Sequence, residues 1–402
     1  MVGTKGWRKK KFIKILAVAM ICILATSALP GCEKSPSGQG QAEPLSVSGF
    51  AFDTSYTITL YQGGSQKLLN HCISLCTEYE NIFSASDKES ELYQVNQAGL
   101  LSLEAWQELY PKEKEWNHIR KDDGKREAVD ELLQEKLHQN GQEVPKVTVN
   151  EDGALEITLS DKLSDIVDRG LHYSKLSKGH FDITIEPVSS LWDFSSGEGK
   201  VPGEEKIKEA LGYVDYRNVE IHGNTLVLQK PGIRIDLGGI AKGYIADLLK
   251  EYLSQNGVTG GIIDLGGNIL CIGKKNNGED FRIGVRQPFA DRSETVAVVG
   301  ICDKSVVSSG VYERYIQAED GEMYHHILNP QTGYSYENEL IGVTIISEKS
   351  VDGDGISTSA FALGLKGGLE LINSMEETEA VFITEDGKLH YSSGFEKLLQ
   401  SD

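Results

Sequence analysis

Apolar and polar positions begin to alternate regularly near Phe50, where FDTSYTITLY reads as a half-buried strand. From about Ser65 to Ile82, Leu68, Leu69, Ile73 and Tyr79 recur at helical spacing, and Cys72 and Cys76 fall on the same apolar side. A polar loop, Ser84 to Leu92, follows. Between about residues 106 and 141 the chain turns charged, with sparse apolar positions, and reads as a partly helical, solvent-facing insertion. Regular pattern returns at Leu155. Ser160 is placed to cap a helix that carries Leu163, Ile166, Val167 and Leu171 on one face.

Gly179 breaks that helix, and FDITIEPV after it reads as a strand. NVEIHGNTLVL is a hairpin pattern turning at Gly223-Asn224. A β-type run (Ile233, Ile235, Leu237) then meets Gly238-Gly239, where a helical pattern starts that ends at Asn256-Gly257. The last third is mostly strand-like, with one helical run near Ser357–Ser374. The pattern predicts an α+β fold rich in antiparallel sheet, without internal repeats.

Composition changes the picture chiefly at the N-terminus. Lys5, Arg8, Lys9, Lys10 and Lys11 precede an apolar run from Ile15 to Leu29, and no acid occurs before Glu33. This is the layout of an export signal rather than a spanning helix. Leu29-Pro30-Gly31-Cys32 reads as a lipobox that makes Cys32 a lipidated N-terminus, with an ordinary secretory signal or an uncleaved anchor as the plainer alternatives. The expected layout is a signal over 1–31, a Ser/Gly/Gln/Pro-rich tether over 32–48, and one domain over 49–402. The net charge of −20 falls to about −26 once the six basic residues of the signal are removed. So acidic a surface argues against nucleic acid or anionic lipid as a partner. Cys72, Cys76, Cys271 and Cys302 show no metal-ligand spacing and imply no disulfide framework.

The candidate chemistry is clustered. A strand–Gly-Gly–helix junction fits a tight turn, and equally a phosphate held on free N–H groups at a helix start beside Lys242. Asp354 and Thr358 lie at i and i+4 in DGISTSAF. On a helix beginning near Gly355 they are either a cap and an interior residue, or two hard oxygens suited to Mg²⁺. His326, in HHILNPQTG, is either a base near its ordinary pKa of about 6.5 or a structural ring. For His325 the structural reading is preferred.

RIDLGGIAKGYIADLL is accompanied by GHFDITIEPVSSLWDF, GGIIDLGGNIL, FRIGVRQP, SSGVYERY, HHILNPQTG and DGDGISTSAFALG. In order and spelling these blocks, between about Phe50 and Ile383, resemble the ApbE family, the FAD:protein FMN transferases. The resemblance implies two interleaved α/β subdomains with antiparallel sheets around a flavin-binding cleft. It implies metal ligation by Asp354, Thr358 and the main-chain oxygen of Ala241, with Ser357 where some members carry a further acid. The metal would be Mg²⁺, with Mn²⁺ as the alternative. His326 takes the base role and Lys242 the charge-neutralising role, with Asn329 where Asp is commoner.

For the flavin, the resemblance points to His180, Phe181 and Asp182 along the ring system and Gly238 and Tyr244 flanking the pyrophosphate. Leu328 is an apolar contact, Phe52 replaces a frequent methionine, and Ser86 stands where several members have an aromatic ring. Trp192, Ser309, Gly310 and Tyr312 are further contact positions. The implied reaction moves FMN from FAD, the substrate, to a Ser or Thr hydroxyl of an exported FMN-binding acceptor protein of a membrane redox system, releasing AMP. The expected place is the outer face of the cytoplasmic membrane, or a periplasmic face, held by the lipid anchor. The alternatives are a metal-dependent FAD pyrophosphatase and a non-catalytic FAD-binding lipoprotein.

Overall fold

A computed structural model describes residues 43–113, 115–139, 146–194, 200–290, 294–318 and 321–400. The expected signal peptide, Cys32 and most of the tether lie outside the described residues. Among the described residues no helix is long and apolar enough to cross a membrane.

The main sheet has eight strands, each antiparallel to its neighbours. In spatial order they are β1 (Leu45–Ala51), β2 (Thr54–Gln62), β7 (Gly260–Leu265), β8 (Asn268–Gly273), β11 (Ser305–Gly310), β14 (Leu340–Ser347), β15 (Glu379–Thr384) and β16 (Leu389–Tyr391). A four-stranded sheet runs β3 (Val147–Val149), β4 (Leu155–Thr158), β6 (Thr225–Leu228), β5 (Val219–His222). Two ribbons complete the set: β9 (Phe281–Arg286) with β10 (Thr295–Ile301), and β12 (Tyr315–Gln317) with β13 (Met323–His325). The first strand among the described residues starts at Leu45, ahead of the expected strand, because β1 pairs with β2 over its whole length.

The helices are α1 (Gln66–Phe83), α2 (Glu91–Leu109), α3 (Trp116–Ile119), α4 (Asp123–Gln139), α5 (Asp161–Leu176), α6 (Glu186–Ser189), α7 (Glu204–Leu211), α8 (Ala241–Gln255), α9 (Ser350–Ala362) and α10 (Gly364–Asn373). Ser65 and Ser160 cap α1 and α5 through their hydroxyls, Ser160 as its spacing predicts. Gly257, at φ 86°, follows the end of α8. Cys72 and Cys76 are buried free thiols, and burial pushes them up to about 11 and about 12. They are small core residues, inert as thiolates at neutral pH.

Three expectations change. The 106–141 segment is more than solvated decoration. Trp106, Trp116, Ile119, Val129, Leu133 and Leu137 are buried in the main core, and the Trp116 ring N–H donates to Gly153 O at 3.1 Å. FDITIEPV is a turn followed by α6, because the Asp182 carboxylate takes the N–H groups of Thr184 (2.8 Å) and Tyr216 (2.9 Å) and the Thr184 hydroxyl (2.6 Å). The run through Ile233, Ile235 and Leu237 forms no strand. Buried Asn96 replaces the missing partner: its Nδ2 donates to Ile235 O at 2.8 Å and its Oδ1 accepts Ile235 N–H at 2.7 Å.

Candidate active site

The first turn of α8 lies against the first half of α9, and one glycine permits it. A Cβ on Gly243 would stand 2.2 Å from Ser350 O and 2.7 Å from Val351 Cα, both backbone atoms of α9. At this contact Gly243 N–H donates to Asp354 Oδ2 at 2.6 Å. The α9 helix starts at Ser350, not near Gly355, because Asp247 of α8 accepts the N–H groups of Ser350 (2.9 Å) and Val351 (3.0 Å). Asp354 is therefore an interior helix residue with a buried carboxyl group, and its capping reading falls away.

Thr358 sits one turn on and is half-buried. Its hydroxyl is 3.5 Å from Ser309 Oγ, which also meets Ser357 Oγ at 2.8 Å, so β11 closes one side of this surface. Ala241 opens α8, two residues before Gly243. No ion pair to Asp354 occurs among the described residues, nor does a cluster of three His, Cys, Asp or Glu side chains able to hold a metal. A cation here would have one carboxylate, a hydroxyl and a carbonyl. That set suits Mg²⁺, which keeps waters and phosphate oxygens in its shell.

Lys242 is adjacent. Burial raises the Asp354 carboxyl, and Lys242 and the Gly243 N–H oppose that rise. Burial also raises Glu313, with Lys242 acting against it and Asp354 adding to it. Burial pushes His326 down to about 3, and the charge on Lys242 contributes to the same shift. His326 is only half-buried, yet the protein around its ring keeps the imidazole neutral in the working range, its pKa well below the ordinary value expected from sequence. Its Nδ1 lies 3.2 Å from Arg314 O, which only accepts, so Nδ1 carries the proton and Nε2 holds the free lone pair. The same carbonyl accepts the His326 backbone N–H at 3.1 Å. Glu313 and Arg314 are exposed, and Glu313 lies near enough to Lys242 and Asp354 to feel their charges. Their acid–base pair in YERY went unassigned in the sequence.

His325 is a structural ring, its Nε2 3.0 Å from Tyr336 O. Asn329 bonds Gln331 N at 2.8 Å through Oδ1 and so organises its own turn, with no bond to His326. The Gly-Gly turn carries less free N–H than its sequence suggests, because Gly238 N–H is taken by Asp236 Oδ1 at 2.8 Å. At the start of α8 the N-cap residue Ile240 adds no side-chain bond, Ala241 N–H is taken by Leu237 O at 2.8 Å and Gly243 N–H by Asp354, so Lys242 supplies most of the attraction for an anion there.

The flavin positions divide. Phe181 packs on the turn, 2.8 Å from where a Gly239 Cβ would stand. His180, beside it, is tied to Tyr336 by a 3.2 Å contact from Nδ1 and by the Tyr336 hydroxyl donating to His180 O at 2.9 Å. Asp182 spends its carboxylate on the turn described above, and its carbonyl accepts Ile185 N–H at 3.2 Å. Tyr244 buries its ring against Phe83, with centroids 5.6 Å apart, and beneath the Arg169 guanidinium. Leu328 and Trp192 belong to a buried cluster with Val188, Ile207 and Ile316, and Trp192 Nε1 donates to Gly333 O at 3.0 Å. Phe52 occupies the β1–β2 turn at φ 56°, its N–H on Glu80 Oε1. Ser86 is exposed in the loop after α1, bonded to Ser84. The structure thus brings Ala241, Asp354 and Thr358 to the contact of α8 with α9, with Lys242 near enough for its charge to act on both Asp354 and His326, and Phe181 on the adjoining turn. Tyr312 lies on the same side, under the Arg286 guanidinium at 5.5 Å.

The sequence profile of the ApbE family matches residues 125–382. The FAD:protein FMN transferase of Klebsiella pneumoniae (strain 342) is 36% identical over 243 residues, 60% of this chain and 75% of that protein. That of Treponema pallidum (strain Nichols) is 30% identical over 257 residues, 60% of this chain and 71% of its own length. Among solved structures, the flavin transferase ApbE of Vibrio cholerae matches with a TM-score of 0.68 at 23% identity, covering 89% of this chain and 99% of that one. The ApbE protein of Thermotoga maritima gives 0.69 at 24% identity, covering 89% and 100%. These two likenesses establish the α+β, antiparallel-sheet fold.

Proposed function

The chain belongs to the ApbE family, and we propose that it is an FAD:protein FMN transferase working at the cleft between α8, α9 and the β12–β13 ribbon. The observation that carries the reading is the meeting of Lys242, buried Asp354 and a neutral His326 in one electrostatic cluster. A site for binding alone needs no such free base.

FAD would lay its pyrophosphate over the start of α8, where the helix dipole and Lys242 favour negative charge. His326 Nε2 would take the proton of an acceptor Ser or Thr hydroxyl as its oxygen attacks the FMN-side phosphorus. That oxygen–phosphorus bond forms as the bond from the same phosphorus to the bridging oxygen breaks, and AMP leaves with the bridging oxygen. Arg314 O holds the imidazole in the required tautomer. Lys242 opposes the charge that develops on the phosphates. A divalent cation, Mg²⁺ or Mn²⁺, held by Asp354, Thr358 and the Ala241 carbonyl would further neutralise the phosphate oxygens.

The basic leader, apolar run and Cys32 support a lipid-anchored protein on the outer face of the membrane, whose acceptors are exported FMN-binding proteins. The test combines the protein, FAD, Mg²⁺ and a purified FMN-binding acceptor domain, resolved on a denaturing gel and read by flavin fluorescence with parallel assay of AMP. The proposal expects a fluorescent acceptor band that disappears with EDTA and with His326→Ala. AMP and free FMN without a labelled band would identify a pyrophosphatase instead, and tight FAD without AMP a binding protein.

A further inference from the structure

Among the described residues, a buried amide nitrogen beside the α8–α9 contact, on Asn268, has no hydrogen-bond partner at full geometry. The block DLGGN forms a two-residue hairpin turn in which Leu265 pairs with Asn268. Gly266 (φ 65°) and Gly267 (φ 92°) occupy the left-handed region that the turn requires, and Gly267 N–H is fixed by Asp264 Oδ1 at 2.8 Å. The turn delivers Asn268 as the first residue of β8, with its side chain only 2% exposed. Ser350 Oγ donates to Asn268 Oδ1 at 2.6 Å. Fixing the oxygen of an amide fixes its NH₂ as well. Asn268 Nδ2 is buried without a hydrogen-bond partner at full geometry, and the group it acts upon is the Asp354 carboxyl.

We propose that Asn268, held by Ser350, is the positioning residue that orients the Asp354 carboxylate for a divalent cation. A buried amide donor is costly to keep unless it acts on a polar group, and the group within its reach is the Asp354 carboxyl. Here two donors bear on one carboxylate: Gly243 N–H at Oδ2, and the Asn268 amide. Between them they set the plane of the group and restrict which lone pairs a cation meets. The clamp is rigid, because Ser350 opens α9 and its own N–H is held by Asp247. A purely structural tie between β8 and α9 would affect stability and leave cation affinity alone, which separates the two roles.

The inference rests on the cation site proposed above, and the experiment distinguishes failure of one from failure of the other. Mn²⁺ affinity is measured by electron paramagnetic resonance for the wild type and for Asn268→Ala, Ser350→Ala and Asp354→Ala. Melting temperature and FAD binding in EDTA are recorded for each. The expected result is a loss of Mn²⁺ affinity of roughly 10- to 100-fold in Asn268→Ala, the range typical for groups that orient a metal ligand. Ser350→Ala should show a smaller loss in the same direction, and FAD binding in EDTA should stay within about twofold. If Asn268→Ala does not fold, Ser350→Ala decides. Unchanged Mn²⁺ affinity in the folded Asn268 or Ser350 variant, with loss in Asp354→Ala, would overturn the positioning role alone. Wild-type affinity retained in Asp354→Ala would overturn the cation site and the inference with it.

Discussion

Gly243→Ala sets helix propensity against packing, and the two predict opposite signs. In an exposed helix the change would stabilise by about 1 kcal/mol. Here the new Cβ would stand 2.2 Å from Ser350 O, 2.5 Å from Ser350 C and 2.7 Å from Val351 Cα. Ordinary contact begins near 3.4 Å, so α8 and α9 would have to part by roughly 1 Å. All three atoms are backbone, pinned by the two N–H bonds that Asp247 accepts, so no side chain can swing aside. Overpacking of this kind costs about 1–3 kcal/mol. The Gly243 N–H bond to Asp354 stretches with the helices, which adds about 1 kcal/mol or more. The net expectation is destabilisation of about 1–3 kcal/mol. A displacement near 1 Å in the catalytic groups also implies a fall in turnover of about 100-fold. Urea denaturation and the AMP-release rate at saturating FAD would be measured together. A variant as stable as the wild type with near-normal turnover would refute the claim that this contact positions Asp354.

Three further outcomes follow from the same geometry. Leu133→Ala in α4 removes a fully buried side chain and should destabilise the protein by about 2–5 kcal/mol, whereas a solvated decoration would lose almost nothing in a urea titration. Asp247 is raised by burial to about 6, so its favourable contribution is complete below its unfolded value near 4 and is lost as pH rises through about 6. The wild type should therefore lose up to about 3 kcal/mol relative to Asp247→Asn between pH 4 and 7, and parallel stability curves would contradict this. With His326 held down to about 3, turnover should show no histidine ionisation between pH 5 and 8. A limb near pH 6.5 in the turnover profile, shifted by Lys242→Ala, would show that the base titrates normally.

What could be read from the sequence was local, and what could not was supplied from far along the chain. Ser65 and Ser160 cap helices whose apolar stripes lie within the same 20 residues, so α1 and α5 were legible. Gly223-Asn224 likewise marks its own hairpin. The Ile233–Leu237 run has the composition of a strand, but Asn96, 139 residues earlier, provides its bonds. The start of α9 is set by Asp247, 103 residues before Ser350, so no local signal placed it. The insertion looked solvated because its apolar residues are few, yet the few that exist form one buried stripe. Within the site, Asp354, Thr358, Lys242 and His326 were readable as residue types in order. The depressed pKa of His326 was not, since it arises from enclosure by segments distant in sequence. Glu313 lay in view within SSGVYERY, but nothing in the pattern said which face it would take.

The most direct test of transfer follows oxygen. FAD, Mg²⁺, the protein and an FMN-binding acceptor domain are incubated in ¹⁸O-enriched water, and acceptor, AMP and any free FMN are analysed by mass spectrometry. Attack by the acceptor hydroxyl predicts an acceptor heavier by one esterified FMN, one AMP per labelled acceptor, and no ¹⁸O in either product. Free FMN carrying ¹⁸O, with the acceptor mass unchanged, would mean that water is the nucleophile and would contradict the account.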